Sequence, residues 1–284
     1  MKYFFIIVFI IGYTTGCVST KNTLPVWKTL PAAPNLPQPD ESGYAPVNGI
    51  KMYYAVFNKD GKDPVLLLHG GFSSSADWGF EVPLLAKTHK VIIADTRGHG
   101  RSSMNATPFT YKLFTEDVIA LLNYLKIKRT SIVGWSDGGI IGLMIAILHP
   151  SRINKLFTFG ANYNRSGEKS DPPDTAMMHK FMAKVTANYK LVSPTPDSFG
   201  VLRSAIIKMY DKEPDISPKD LMKIEAPTVI AYGQYEQFYK PEHFEEMVKL
   251  IPGAKLVVIP NVSHGGPLQN PRFFHNAILK LLNN

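Results

Sequence analysis

The sequence predicts an α/β fold with a mostly parallel sheet covered by helices on both faces. Three observations carry this. From about residue 43 onward, short apolar runs alternate with segments of helical spacing. Two of these runs, Val65-Leu66-Leu67-Leu68 and Val91-Ile92-Ile93-Ala94, are apolar at every position, as in strands buried on both faces. A third run, Ser131-Ile132-Val133, leads directly into a G-x-S-x-G turn and then an apolar helix-like run over residues 140–148.

The remaining elements follow in order. Residues 51–57 read as a strand, and residues 114–125 show helical spacing. Residues 155–159, 228–232 and 255–259 have the form of further buried strands. Residues 244–251 and 273–282 read as flanking and closing helices. Residues 163–219 break the alternation and are rich in Met, Lys, Pro and Asp. There Met177, Met178, Phe181, Met182 and Val185 recur at helical spacing. This predicts a helical cap over 163–219, inserted in a core of 43–162 and 220–284, with the apolar stripe packed on that core. Ligands of such sheets bind at the carboxyl ends of the strands.

The chain has 284 residues, 45% hydrophobic and 19% charged, which suits one globular domain. Residues 1–17 stand apart from it. Met1-Lys2 makes a basic start, and residues 4–11 are an unbroken apolar run. A bilayer span needs about 20 apolar residues, so this run reads as the core of a secretory signal. The only cysteine, Cys17, follows in Thr14-Thr15-Gly16-Cys17. The segment resembles a bacterial lipoprotein signal, with Thr14 where Leu is usual. The alternative is ordinary cleavage nearby and an incidental cysteine. Lipidation is favoured, because a lone cysteine in an exported protein otherwise has no partner. The expected location is therefore the bacterial periplasm or cell envelope.

Residues 18–42 contain Pro25, Pro31, Pro34, Pro37 and Pro39 and little apolar periodicity. That composition predicts an extended tether between membrane and domain. The alternative is a segment draped on the domain, since Trp27 and Leu30 can pack. The net charge of +8 is not gathered into an Arg-rich run or a basic helix face. It argues against nucleic acid as a partner and for weak attraction to an anionic membrane surface.

The turn Gly134-Trp135-Ser136-Asp137-Gly138-Gly139 places Ser136 where a sharp strand-to-helix bend exposes its hydroxyl. Glycines two residues before and after remove the Cβ atoms such a bend would crowd. A serine nucleophile needs a base and a group that orients the base. Among the eight histidines the best base is His264, in a Gly-rich loop after the last strand run. His89, His149, His179, His243 and His275 read as solvated, and His69 and His99 belong to other motifs. The orienting acid is expected after the preceding strand, in Gln234-Tyr235-Glu236. No aspartate follows Asp220, so Glu236 is the candidate. The alternative leaves Glu236 as a surface residue and the acid elsewhere. An oxyanion hole needs backbone N–H donors. The expected donors are Asp137 and Gly71, with Phe72 as the alternate, from His69-Gly70-Gly71-Phe72.

The ordered motifs resemble those of the α/β-hydrolase superfamily, in its cap-bearing esterase, lactonase and haloperoxidase-like branch. They are His69-Gly70-Gly71, Asp95-Thr96-Arg97-Gly98-His99-Gly100-Arg101-Ser102, the Ser136 turn, and the Glu236 and His264 loops. The Ser136 turn with Phe159-Gly160-Ala161-Asn162 is similar to valacyclovir-hydrolase-like enzymes, which usually carry Asp where Glu236 stands. The resemblance implies a mostly parallel eight-stranded sheet with flanking helices and an inserted helical cap. It implies that Asp95 and Arg97 organise loops, and that a small ester is hydrolysed through an acyl-enzyme without metal or organic cofactor. A lactonase or cofactor-free peroxidase would use the same residues, and a non-catalytic ligand-binding lipoprotein would use the scaffold alone. The Asp137 side chain is a candidate for selecting cationic substrates, the alternative being hydrogen bonds to neighbouring loop amides.

Overall fold

The protein is described by a computed structural model over residues 24–171 and 175–283. The signal sequence and Cys17 lie outside the described residues. The sheet has eight strands: β1 (Glu41–Val47), β2 (Ile50–Phe57), β3 (Val65–Leu68), β4 (Val91–Ala94), β5 (Thr130–Trp135), β6 (Ile153–Phe159), β7 (Thr228–Gly233) and β8 (Lys255–Ile259). Their spatial order is β1-β2-β4-β3-β5-β6-β7-β8. Strand β2 runs antiparallel to β1 and β4, and the other pairs are parallel.

The helices are α1 (Val82–Leu85), α2 (Tyr111–Tyr124), α3 (Asp137–Leu148), α4 (Thr175–Val192), α5 (Phe199–Tyr210), α6 (Pro218–Leu221), α7 (Pro241–Leu250), α8 (Gly266–Gln269) and α9 (Pro271–Leu282). Helices α4, α5 and α6 all lie in the connection from β6 to β7. Alternate residues of each buried strand feed opposite layers. Leu66, Leu68, Ile92 and Ile132 join Phe114, Leu121 and Ile141 of α2 and α3. Val65, Leu67, Ile93 and Val133 join Leu85 of α1 and Phe274 and Ile278 of α9. Burial on both faces is the physical reason these strands read as continuous apolar runs.

The chain enters β4 on one side of β3 and β5 on the other. Loops leaving the carboxyl ends of β3 and β5 therefore diverge, which opens a crevice between them. The segment after β4 braces this end of the sheet. Asp95 accepts from Ser75 N–H at 2.7 Å and Arg101 N–H at 2.8 Å. The buried Arg97 guanidinium donates from Nε and a terminal nitrogen to the two Asp117 oxygens, each at 2.7 Å, and to Asn48 O at 3.0 Å. One side chain thereby joins α2 to the β1–β2 turn.

Several expectations are corrected. Strand β1 escaped the sequence reading. Its signal was Asn48-Gly49, whose positive φ values of 42° and 79° form the hairpin turn. Strand β8 is not a buried strand: it closes one edge of the sheet, and Leu256 and Val258 are 36% and 41% exposed. His243 and His89 are buried. His243 stacks on Tyr163 at 4.4 Å, and its Nε2 accepts from Tyr163 N–H at 3.2 Å. Helical position alone did not reveal that this face of α7 turns inward.

The described part of the expected tether lies on the domain. Trp27 stacks on Tyr235, and Leu30, Ala33 and Leu36 pack against the core layer that holds Trp78. Proline here keeps the segment extended while its few apolar side chains reach the surface beneath.

Burial holds the imidazoles of His99 and His243 well below their ordinary value of 6.5: His99 at about 3, helped by neighbouring His69, and His243 at about 4. Their contribution to stability is complete above pH 6.5. It is lost as pH falls, because the unfolded chain takes up protons that the native chain refuses. Each such group steepens the loss by up to about 1.4 kcal/mol per pH unit. His243→Gln is expected to shallow the fall of unfolding free energy between pH 6.5 and 5 by about 1 kcal/mol per unit. Urea titrations across that range measure it, and an unchanged slope would show that His243 is charged in the native state.

Candidate active site

Ser136 sits between β5 and α3 with φ 53° and ψ −118°. A non-glycine residue rarely adopts this region, and its presence marks stored strain. The neighbours explain how the bend closes. A Cβ at Gly134 would strike the Gly138 backbone, and one at Gly138 would strike the carbonyl groups of Leu68 and His69. Strand β5, helix α3 and the end of β3 are therefore pressed together where only glycine fits. Ser136 N–H donates to Phe159 O at 2.8 Å, which pins the bend to β6.

His264 lies in the loop after β8. Its Nδ1 donates to the Glu236 carboxylate, 2.9 Å from each oxygen. Glu236 follows β7 and is buried. Its Oε1 also accepts the N–H groups of Gln237 at 2.9 Å and Phe238 at 3.0 Å. The carboxylate is thus held by its own loop before it meets the imidazole. Trp135 Nε1 donates to His264 O at 2.9 Å, tying the histidine loop to the residue before Ser136. The alternative of Glu236 as a solvated surface residue does not hold. With Nδ1 committed to the carboxylate, Nε2 is left as the acceptor of the neutral ring.

The loop after β3 passes over the serine. A Cβ at Gly70 would stand 3.2 Å from Ser136 Cβ. Gly71 follows, and Phe72 has φ 64°. His69 bonds within this region: its Nδ1 donates to Gly70 O at 2.8 Å and its Nε2 accepts from Thr96 N–H at 3.0 Å. Asp137 opens α3, and the N–H groups of Gly139 and Ile140 in the same turn close on Ser136 O at 2.8 and 3.0 Å.

The Asp137 carboxylate is buried, and its hydrogen bonds are not to loop amides. Tyr111 Oη donates to Oδ1 at 2.9 Å, and Tyr210 Oη reaches Oδ1 at 3.0 Å and Oδ2 at 2.8 Å. Burial pushes its pKa up, against the downward pull of the Tyr210 and Tyr111 hydroxyls. Both tyrosines are themselves pushed up, first by burial and then by the Asp137 charge. No sequence signal pointed to these partners: they lie 26 and 73 residues from Asp137 along the chain.

One cavity of about 410 Å³ joins these groups. Ser136, His264, Gly71, Phe72 and Asp137 line it. So do Met177, Met178, Phe181 and Tyr210, from α4 and α5. Of the apolar stripe, read as packing on the core with some members free to line a pocket, these three α4 residues face the cavity. A helix laid across a crevice can bury an apolar stripe without touching the sheet. Among the described residues, no group of three or more His, Cys, Asp or Glu is placed to hold a metal ion.

Residues 63–191 match the family described as alpha/beta hydrolase fold. The chain has the α/β-hydrolase fold. It is 28% identical over 234 residues to human serine hydrolase BPHL, an alignment spanning 77% of this chain and 78% of that one. It is 23% identical over 286 residues to the 2-hydroxy-6-oxo-6-(2'-aminophenyl)hexa-2,4-dienoic acid hydrolase of Metapseudomonas resinovorans, spanning 88% of this chain and 95% of that one. The enol-lactonase of Burkholderia xenovorans LB400 superposes with a TM-score of 0.66 at 23% identity, covering 85% of this hydrolase and all (100%) of that chain. That last likeness speaks to the fold alone.

Gly160 is the tightest neighbour of the histidine. It has φ 63°, and a Cβ there would stand 2.7 Å from His264 Cε1 and 2.8 Å from Nδ1. Gly160→Ala is expected to displace the imidazole from Glu236 and to lower the rate of fluorophosphonate labelling at Ser136 by about 10²-fold or more, the lower reach of general-base effects. Far-UV circular dichroism should stay native. Undiminished labelling would show that the ring position does not matter to the serine.

Proposed function

We propose that this hydrolase cleaves a small carboxylic ester, with Ser136 as nucleophile, His264 as base and Glu236 as the acid that orients it. The observation that carries the reading is the Glu236–His264 pair. The acid is buried and fixed by its own loop, and the imidazole it holds lines the same cavity as a serine on a strained bend.

The chemistry runs in two steps. Ser136 Oγ attacks the ester carbonyl while His264 Nε2 takes its proton, and Glu236 stabilises the imidazolium. Backbone N–H groups of Asp137 and Gly71, with Phe72 as the alternate donor, receive the developing oxyanion. One such donor is worth roughly 3 kcal/mol of barrier. Collapse of the tetrahedral intermediate releases the alcohol, protonated by His264. Water then repeats the attack on the acyl-serine, and the acid product leaves.

Ser136→Ala should abolish both ester turnover and fluorophosphonate labelling. Glu236→Gln should keep the loop bonds but lose the imidazolium partner, lowering kcat by about 10² to 10⁴. Glu236→Asp should fall between, since its carboxylate is kept but is carried on a side chain one methylene too short to reach the ring. Wild-type turnover of p-nitrophenyl esters that survives in Ser136→Ala would refute the assignment.

The substrate reading centres on Asp137. Its carboxylate borders the cavity and is already held by two hydroxyls, so it is pre-positioned to receive an ammonium group without rearrangement. We therefore propose a preference for esters carrying a positive charge. Asp137→Asn should raise KM for an amino-acid ester about tenfold or more and leave that of its uncharged acyl analogue within about twofold, given that hydrogen bonds to charged groups are worth roughly 1.5–3 kcal/mol. Equal changes for both esters would remove the charge preference.

A further inference from the structure

One wall of the cavity comes from outside the strands and helices of the hydrolase fold. Leu30, in the proline-rich segment before β1, lines it together with Ser136, His264 and the α4 residues. The matched family region begins only at residue 63.

The segment is fastened on both sides of Leu30. Before it, the Trp27 ring stacks on Tyr235 with centroids 4.6 Å apart and planes inclined by 20°. Gln269 Nε2 donates to Thr29 O at 2.7 Å and Trp27 O at 3.3 Å. After it, the Pro34 carbonyl lies so close to Gly79 that a Cβ there would collide with it. The fastening points are not arbitrary. Tyr235 immediately precedes Glu236. Gln269 also accepts Ser263 N–H at 2.7 Å, and Ser263 immediately precedes His264. The segment is thus a strap across the two loops that carry the acid and the base.

Leu30 is only partly buried, with one face against the core layer and another toward the cavity. Met177, Met178 and Phe181 add apolar side chains to the same cavity lining. An apolar group extending from an ester bound at Ser136 would have both α4 and the strap to bury it. Such enclosure removes more apolar surface from water than either wall alone.

We propose that the strap over residues 27–30 is a specificity element of the active site, with Leu30 receiving the apolar tail of an ester substrate. This rests on the ester-hydrolase reading for the identity of the ligand, but it concerns binding and is tested without turnover. Leu30 discriminates by chain length, and Trp27 acts through it by holding the strap in place.

The test uses the full chain carrying Ser136→Ala, titrated calorimetrically with p-nitrophenyl butanoate and p-nitrophenyl octanoate. Adding Leu30→Ala should weaken octanoate binding on the order of tenfold and butanoate binding less than about twofold, in line with the worth of a few methylenes in an apolar pocket. Leu30→Met should restore the octanoate affinity. Trp27→Ala should show the same chain-length signature and Trp27→Phe should recover it, which a merely structural role would not produce. Val26→Ala, at an exposed residue just before the strap, should change neither ester. Equal loss at both chain lengths, no loss, or equal affinity for the two esters with the strap intact would overturn the proposal. Failure of the ester-hydrolase reading looks different: the Ser136 chain would turn over neither ester while the length-dependent binding persisted.

Discussion

The structure depends on one close approach, where β5, α3 and the end of β3 meet around Ser136. Gly134 and Gly138 permit it, because a Cβ at either position would enter neighbouring backbone. That contact forces the serine into a left-handed conformation and lifts its side chain out of the chain's path. It also sets the start of α3, at Asp137, against the cavity. The sheet supplies the stiffness. Six of its parallel strands bring the β3, β5, β7 and β8 loops to one end, so that residues far apart in sequence share one wall.

Around this point the site is held by residues that do no chemistry. The Glu236 carboxylate is set by two amides of its own loop, and the histidine loop is tied to Trp135 beside the serine. Lys169 Nζ donates to Glu236 O at 2.6 Å from the connection between β6 and β7. Such supporting bonds limit the freedom of Glu236 and His264, the acid and base of the proposed mechanism, before any ligand arrives, which is where preorganised electrostatics obtains its effect.

In the proposed mechanism Asp137 has two duties that pull in opposite directions. Its backbone stands at the helix start beside the serine, while its carboxylate abuts the Gly71 loop, within 2.8 Å of where a Gly71 Cβ would stand. A bare anion so near a developing oxyanion would oppose it. The hydroxyls of Tyr111 and Tyr210 spread that charge, and burial favours its neutralisation by a proton or by a cation. Tyr210 sits at the end of α5, so the same bonds join the helical insertion to the nucleophile turn.

The sequence by itself determined the α/β class, the parallel sheet, the serine turn and the loops of His264 and Glu236. Those features are local: buried strands are apolar runs, a tight bend demands glycine at set offsets, and an acid or base must follow a strand end. Only the tertiary structure decided what each long-range neighbour does. It turned His243 inward, made β8 an edge, laid Leu30 into the cavity and set Tyr111 and Tyr210 on Asp137. These contacts bridge distant segments, and no spacing along the chain encodes them. A tyrosine or leucine reads the same in sequence whether it fills a core, faces water or waits for a substrate.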